Sequence, residues 1–341
     1  MKFKFNFKKS RNLKISAVIL LCAVVVFLWW EVYVPKVKHQ TETITYSAQK
    51  GMGDEDIARE LQDQGIIKNR LFFEAYVIGL GKHSKLQAGS YILSPSMSIA
   101  EIADKFIAGD VIKDNVTLLE GWDARDIAKY LEGKNIFSKK DFLAALQIDF
   151  SEDFIILNDK PKNISLEGYV FPDTYQISIG ETPQDFLENT IANLDKKLIP
   201  ELRAEIALQN KSIFQIITMA SILEKEVKST KDKKVVAGIL WKRLSIGMPL
   251  QVDATINYIT DKNDARVAIK DTKINSPYNT YKYAGLPAGP ISSPGMDSIL
   301  AAIYPTKTDY WYYLSAKGNG KTIFSATLGQ HNIARAKYLG S

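Results

Sequence analysis

Ile15 to Trp30 (ISAVILLCAVVVFLWW) is sixteen residues without a charge, and no soluble surface accommodates such a run. With Val32, Tyr33 and Val34 it reaches about twenty apolar residues, the length at which a helix crosses a hydrocarbon core. Trp29, Trp30 and Tyr33 cluster at one end, as interfacial aromatics do. Six Lys/Arg precede the segment, so the amino terminus is expected in the cytoplasm and the body outside it. A cleaved signal peptide requires a shorter apolar stretch and a small-residue cleavage site. Here Trp-Trp-Glu-Val-Tyr follows instead, so the sequence predicts a cytoplasmic tail over 1–14 and an uncleaved single-pass anchor over 15–34.

The anchor also explains the charge. The net charge is +6, yet residues 1–38 hold eight basic residues against one acid, and the remainder is nearly neutral. The basic balance therefore belongs to the amino terminus, and no nucleic-acid partner is expected for the body. The single cysteine, Cys22, lies inside the anchor, so the exported part relies on its core without an internal disulfide. His39, His83 and His331 share no metal-ligand spacing, and neither metal nor cofactor is expected.

A chain of 341 residues allows two or three domains. After a short polar stalk (Pro35–Gln40), a repeat appears at an offset of 70: GMGDEDIARELQDQGIIKNRLFF (Gly51–Phe73) matches GWDARDIAKYLEGKNIFSKKDFL (Gly121–Leu143). A half-unit, SMSIAEIADKFIAG (Ser96–Gly109), lies between them. Each unit begins with a β-prone stretch (Thr43–Tyr46, Ser90–Leu93, Asn115–Leu119) and turns through Gly or Ser into an amphipathic helix. This strand–turn–helix pattern resembles the LysM type of carbohydrate-binding module, although strand–helix units packing on Ile-Ala have the same look. The expected organisation is a LysM-like module over 43–112 and a mixed domain over 113–341, with 113–156 its helical repeat-like part. Helical patterns cover Pro183–Lys197, Ser212–Lys228 and about Lys231–Leu244; DYWYYLSA (Asp309–Ala316) reads as a strand, and the chain ends as strand, turn and helix. Helices and strands alternate without regular βαβ spacing, so the fold class is α+β.

One acid stands out. In SIFQIITMASILEKEVK (Ser212–Lys228), Ile213, Ile217 and Ala220 fall within roughly 40° of Glu224 on a helical wheel. Glu226 projects to the other side and reads as a solvated partner for nearby lysines. A carboxyl held against apolar groups has its pKa raised, which suits a general acid. A buried Glu in a structural hydrogen-bond network fits the same pattern. The Pro-, Gly- and Tyr-dense segment Asn275–Pro294 is expected to line a binding site. No G-x-S-x-G, Walker loop or G-x-G-x-x-G after a strand is present, which leaves carboxylate chemistry beside aromatic and amide side chains.

Four blocks in one order carry a resemblance: LEGYVFPDTY (Leu166–Tyr175), ASILEKE (Ala220–Glu226), PLQVDATINY (Pro249–Tyr258) and NSPYNTYKYAGLPAGPISSPG (Asn275–Gly295). Together with the anchor, they resemble the endolytic murein transglycosylase (YceG-like) family. The resemblance implies cleavage of the MurNAc–GlcNAc β-1,4 bond within nascent peptidoglycan, leaving 1,6-anhydro-MurNAc ends. It implies Glu224 as catalytic acid, peptidoglycan strands and peptidoglycan synthases as partners, and a place on the outer side of the inner membrane. Gln251, Asp253, Tyr278, Asn279 and Tyr281 are candidate substrate contacts, while Glu167 and Asp173 are expected to fix the Gly168–Tyr175 turn. Gly329-Gln330-His331-Asn332 departs from the family, which often carries an acid before His-Asn. Two other readings stay open: a non-catalytic peptidoglycan-binding scaffold, and a hydrolase using Asp253 or Glu167 as second carboxylate.

Overall fold

The computed structural model describes residues 7–38, 42–262, 267–317 and 320–340, with side chains from residue 15. The expected tail falls partly on residues 1–6, and the stalk partly on 39–40, both outside the described residues. The chain divides into two units, one comprising 1–115 with 176–181 and the other 116–175 with 182–341.

The first unit opens with the long helix α1 (Phe7–Tyr33), in which Ile15–Tyr33 is long and apolar enough to cross a membrane. Then come β1 (Ile44–Ala48), α2 (Asp54–Asp63), α3 (Arg70–Gly79), β2 (Gly89–Leu93) and α4 (Ile99–Ala108). Strands β1 and β2 are antiparallel and place Tyr46 opposite Tyr91. Both rings point inward and meet Phe106 of α4, at 5.8 and 4.1 Å between centroids. Ile57, Ala58 and Leu61 of α2 and Phe73 and Val77 of α3 complete this core. A small sheet with helices on it is stable here because period-2 and period-3.6 apolar patterns converge on one set of aromatics. Helix α4 starts at a full capping box, with Ser98 accepting from the Glu101 N–H and Glu101 from the Ser98 N–H, and ends at left-handed Gly109.

The boundary between the units falls within β3 (Lys113–Thr117) and β4 (Thr174–Ser178). Between these strands lie α5 (Ala124–Gly133) and α6 (Lys139–Ala145). The 70-residue offset maps α2 onto α5 residue for residue, and Ile127, Ala128 and Leu131 are buried like their counterparts.

The rest of the second unit is α7 (Pro183–Lys197), α8 (Pro200–Leu208), α9 (Ile213–Glu226), α10 (Thr230–Ser245), α11 (Asp253–Thr260), α12 (Met296–Ile303), β5 (Tyr312–Ser315), β6 (Thr322–Ser325) and α13 (Leu328–Leu339). Helix α9 runs through its centre, buried from Ile216 to Leu223 among α8, α10, α11 and α12. Two features fasten α10 to the elements beyond it. The Trp241 indole donates to the Ala302 carbonyl at 3.0 Å, and buried Arg243 donates to the carbonyls of Leu250 (2.7 Å) and Trp311 (2.9 Å). Gly238 lets α10 approach the Thr306 carbonyl so closely that any Cβ would collide with it.

Candidate active site

Of the two acids of α9, Glu224 is buried as its helical face predicts, and Glu226 departs from expectation. Glu224 is held on both oxygens: Oε1 accepts from Lys233 Nζ at 3.0 Å, and Oε2 from the Gly295 N–H at 3.0 Å and the Ser298 hydroxyl at 2.7 Å. Lys233 and Glu224 are 4% and 9% exposed in their side chains, so this is a buried ion pair at the start of α12. An ammonium, a backbone amide and a hydroxyl hold this carboxyl, with one hydrogen bond on Oε1 and two on Oε2. Glu224 thus sits in the hydrogen-bond network that the sequence left open beside the role of catalytic acid implied by the resemblance. Its apolar neighbours surround a helix that is buried on nearly every side, and they do not define a groove.

Glu226, expected in solvent, is instead capped by Tyr313 of β5, whose hydroxyl donates to Oε2 at 3.0 Å. The Ala254 N–H lies 3.4 Å from Oε1. The residue keeps some exposure at its edge, but the carboxyl itself is enclosed. Burial, reinforced by the charge of Asp253, pushes its pKa up to about 7, against the opposing hydrogen bonds from Tyr313 and Ala254. Nothing in the local pattern announced Tyr313, which arrives 87 residues later along the chain. The available signal was the two-residue spacing, which aims the two acids about 200° apart and so into different surroundings.

Two of the expected residues, Asp253 and Tyr281, lie beside Glu226, and Gln251 precedes Asp253 at the start of α11. Asp253 begins α11 and accepts a hydrogen bond from the Tyr281 hydroxyl. Gln251 has a left-handed backbone (φ +52°) and an exposed side chain, its N–H donating to the Thr280 carbonyl at 3.1 Å. A non-glycine residue held there is costly, and such strain concentrates at functional sites.

Asn279 does not join them. It is 1% exposed, and its amide is spent inside its own loop. Nδ2 donates to the carbonyls of Thr272 (3.0 Å) and Ile274 (2.7 Å), and Oδ1 accepts from the Tyr281 N–H at 3.0 Å. Asn279 therefore organises the loop that carries Tyr278 and Tyr281. The same loop is sewn to α9 where it leaves the site: the Ser221 hydroxyl accepts from the Ile291 N–H at 3.0 Å, and Ser292 donates to the Ser221 carbonyl at 3.1 Å.

Tyr278 belongs to a neighbouring cavity of about 480 Å³, lined among others by Glu167, Tyr258, Arg125, Gln147 and Ser276. The rings of Tyr258 and Tyr278 lie 5.1 Å apart, and the Arg125 guanidinium sits 4.9 Å from the Tyr258 ring. Glu167 is 2% exposed. Its Oε2 accepts from the Ala124 N–H at 3.0 Å and lies 3.4 Å from the Tyr258 hydroxyl, while Oε1 has no protein partner. Burial raises its pKa to about 8; Asp123 adds to this, and the Ala124 N–H, Arg125 and Tyr258 oppose it. Glu167 thus does more than brace its turn. Asp173, by contrast, stays at the turn, accepting from the Thr174 N–H at 2.8 Å and from Asn193 Nδ2 at 2.9 Å. Tyr258 lies five residues beyond Asp253 on α11, about 7.5 Å along the helix axis.

His331, within the departing Gly-Gln-His-Asn segment, stacks on Tyr312 at 5.2 Å. Burial, with Arg335 and Arg243 nearby, lowers its pKa.

A helical body here brings together an acid with a raised pKa, an Asp–Tyr pair beside it and a tyrosine-lined cavity, groups suited to carboxylate chemistry. The YceG-like family model matches residues 47–337, and the chain belongs to that family. It is 35% identical to the endolytic murein transglycosylase of Bacillus subtilis (strain 168) over 321 residues, covering 90% of this chain and 88% of the relative. It is 30% identical to the protein of the same name from Streptococcus pneumoniae D39, with 87% of this chain matched to 59% of that longer relative. A crystal structure of a YceG-like protein from Listeria monocytogenes aligns with TM-score 0.60 and 32% identity, covering 86% of this chain and all of that one.

Proposed function

We infer that this chain is an endolytic transglycosylase of peptidoglycan, cutting MurNAc–GlcNAc β-1,4 bonds within a strand to leave 1,6-anhydro-MurNAc ends and so ending strand growth. The observation that carries the reading is the enclosed Glu226 carboxyl with its pKa near 7, beside Asp253 and Tyr281. In this reading Glu226 gives its proton to the departing glycosidic oxygen as the C1–O bond breaks. The resulting carboxylate takes the proton of the muramic C6 hydroxyl, and O6 bonds to C1 of the same sugar. The nucleophile is intramolecular, so its effective concentration is high and no second carboxylate is needed to activate water. The proton count closes, with Glu226 again protonated.

Gln251, Asp253 and Tyr281 then contact the sugar next to the acid, and Tyr278 with Tyr258 and Glu167 receives an acetamide-bearing neighbour. Glu224 acts at a distance, fixing the start of α12 and the exit of the 275–295 loop. The β1–α2–α3–β2 module serves as a LysM-like glycan-binding element. In this reading the body works on the outer side of the inner membrane, tethered by the anchor and close to peptidoglycan synthases.

The test uses the full chain in detergent on uncrosslinked glycan strands, with products identified by mass spectrometry. Anhydro ends are expected; reducing ends, heavier by one water and labelled by ¹⁸O from solvent, would establish a hydrolase. Glu226→Gln is expected to lose about 10²–10⁴-fold in turnover, the usual contribution of a positioned acid. Glu224→Gln is expected to retain turnover per folded molecule. Binding without any turnover in the wild type would leave only the scaffold reading.

A further inference from the structure

Helix α3 has three sides, and each meets something different. Phe73 and Val77 enter the core of the first unit. Phe72 and Tyr76 turn to the anchor helix: Phe72 packs edge-on to Phe27 at 5.9 Å, and Tyr76 edge-on to Tyr33 at 6.2 Å. Lys68, just before α3, places its ammonium 5.8 Å from the Trp30 ring. The third side carries Leu71, Ala75 and Ile78 at helical spacing, with Leu80 just beyond, and all four are exposed. Leu71 is 59% and Ile78 60% exposed, high for side chains with no polar atom. On a helical wheel this stripe adjoins the anchor-facing side, with Glu74 on its far edge.

The anchor fixes the depth of this stripe. Phe27 precedes Tyr33 by six residues, so α3 touches α1 over about 9 Å of its length. A bilayer that accepts Ile15–Tyr33 and sets Trp29, Trp30 and Tyr33 at the headgroups therefore reaches α3 as well. An interfacial amphipathic helix lies about 5–10 Å into that boundary, which is the same depth. Lys68, Arg70, Lys82 and Lys85 flank the stripe, against Glu74, with Glu31 on α1 and Asp104 beside Tyr76.

We propose that α3 is a second membrane contact, an interfacial helix lying in the lipid boundary beside the anchor. Leu71, Ala75, Ile78 and Leu80 face the acyl chains, and the flanking lysines and Arg70 face lipid phosphates. The proposal depends on the anchor crossing a bilayer and is independent of the chemistry at Glu226.

The experiment uses the full chain in nanodiscs of phosphatidylethanolamine and phosphatidylglycerol. In a Cys22→Ser background, bimane is attached at Ile78→Cys, or at Glu55→Cys on α2 as control. Lipids doxyl-labelled near the headgroup are expected to quench most emission at position 78 and little at position 55. A second label at Leu80→Cys is expected to be quenched likewise, and to lose that quenching when Leu71→Glu and Ile78→Glu are introduced. Equal, weak quenching at 78 and 55 would overturn the proposal and leave the stripe to a protein partner.

Discussion

Tyr313→Phe isolates the hydrogen bond that opposes protonation of Glu226. The phenol donates to Oε2 at 3.0 Å and so favours the charged carboxylate, while burial favours the neutral acid. Tyr313 keeps its own proton across the working range, because burial raises its pKa well above the ordinary phenol value. Phenylalanine retains the ring that shields Glu226 and removes only the donor. A hydrogen bond to a charged group contributes about 1.5–3 kcal/mol, equivalent to about 1–2 pH units at 1.36 kcal/mol per unit. The sign follows: losing the donor destabilises the carboxylate, so the pKa rises. A general acid must be protonated to act, so activity falls as pH rises through its pKa. The basic limb of kcat/KM, read from anhydro ends by mass spectrometry, is expected near pH 7 in the wild type. In Tyr313→Phe it is expected to move up by about 1–2 units. A limb that stays in place, or moves down, would refute Glu226 as the titrating donor.

Three further outcomes follow from the packing. Lys233→Met leaves the Glu224 charge buried without its partner, and is expected to cost about 3–5 kcal/mol in denaturant unfolding. Glu167 has a folded pKa of about 8, above the ordinary carboxyl value, so its stabilising contribution is complete at low pH and lost as pH rises through 8. Glu167→Gln is therefore expected to flatten the fall in melting temperature between about pH 5 and pH 9. Gly238→Ala drives a methyl into the Thr306 carbonyl, and is expected to lower stability by about 1–3 kcal/mol.

Helices with one wet and one dry side were legible in the sequence. The segments expected over Pro183–Lys197 and about Lys231–Leu244 stand as α7 and α10 within one or two residues, and the repeat located α2 and α5. Helix α9 was found and Glu224 lies buried as its face predicts, but Glu226 was misjudged for a physical reason. Ile216 through Leu223 are all buried, so apolar neighbours surround every position and cannot say which acid faces a groove. What distinguishes Glu224 from Glu226 lies far along the chain, in Gly295 and Ser298 for one and Tyr313 for the other. Asn279 was similarly opaque, because a turn-forming amide and a sugar-binding amide look alike until their partners are known. Helix α12 went unread because eight residues after a Pro-Gly loop give too short a period.

The paired helices α2 and α5 share an inner side and differ at their beginnings. Helix α2 starts at Gly53 without a side-chain cap, whereas α5 starts at Asp123 with a complete box. The first amide of α5, from Ala124, goes to Glu167, and Arg125 reaches the Tyr258 carbonyl at 3.0 Å. One helix of the repeat thus supplies wall material for the cavity through Ala124 and Arg125, while its counterpart packs Ile57, Ala58 and Leu61 into the core of the first unit. Grafting Asp54–Asp63 in place of 124–133 would preserve the interior seam yet strip out Arg125, so shape and chemistry can be exchanged separately in this protein.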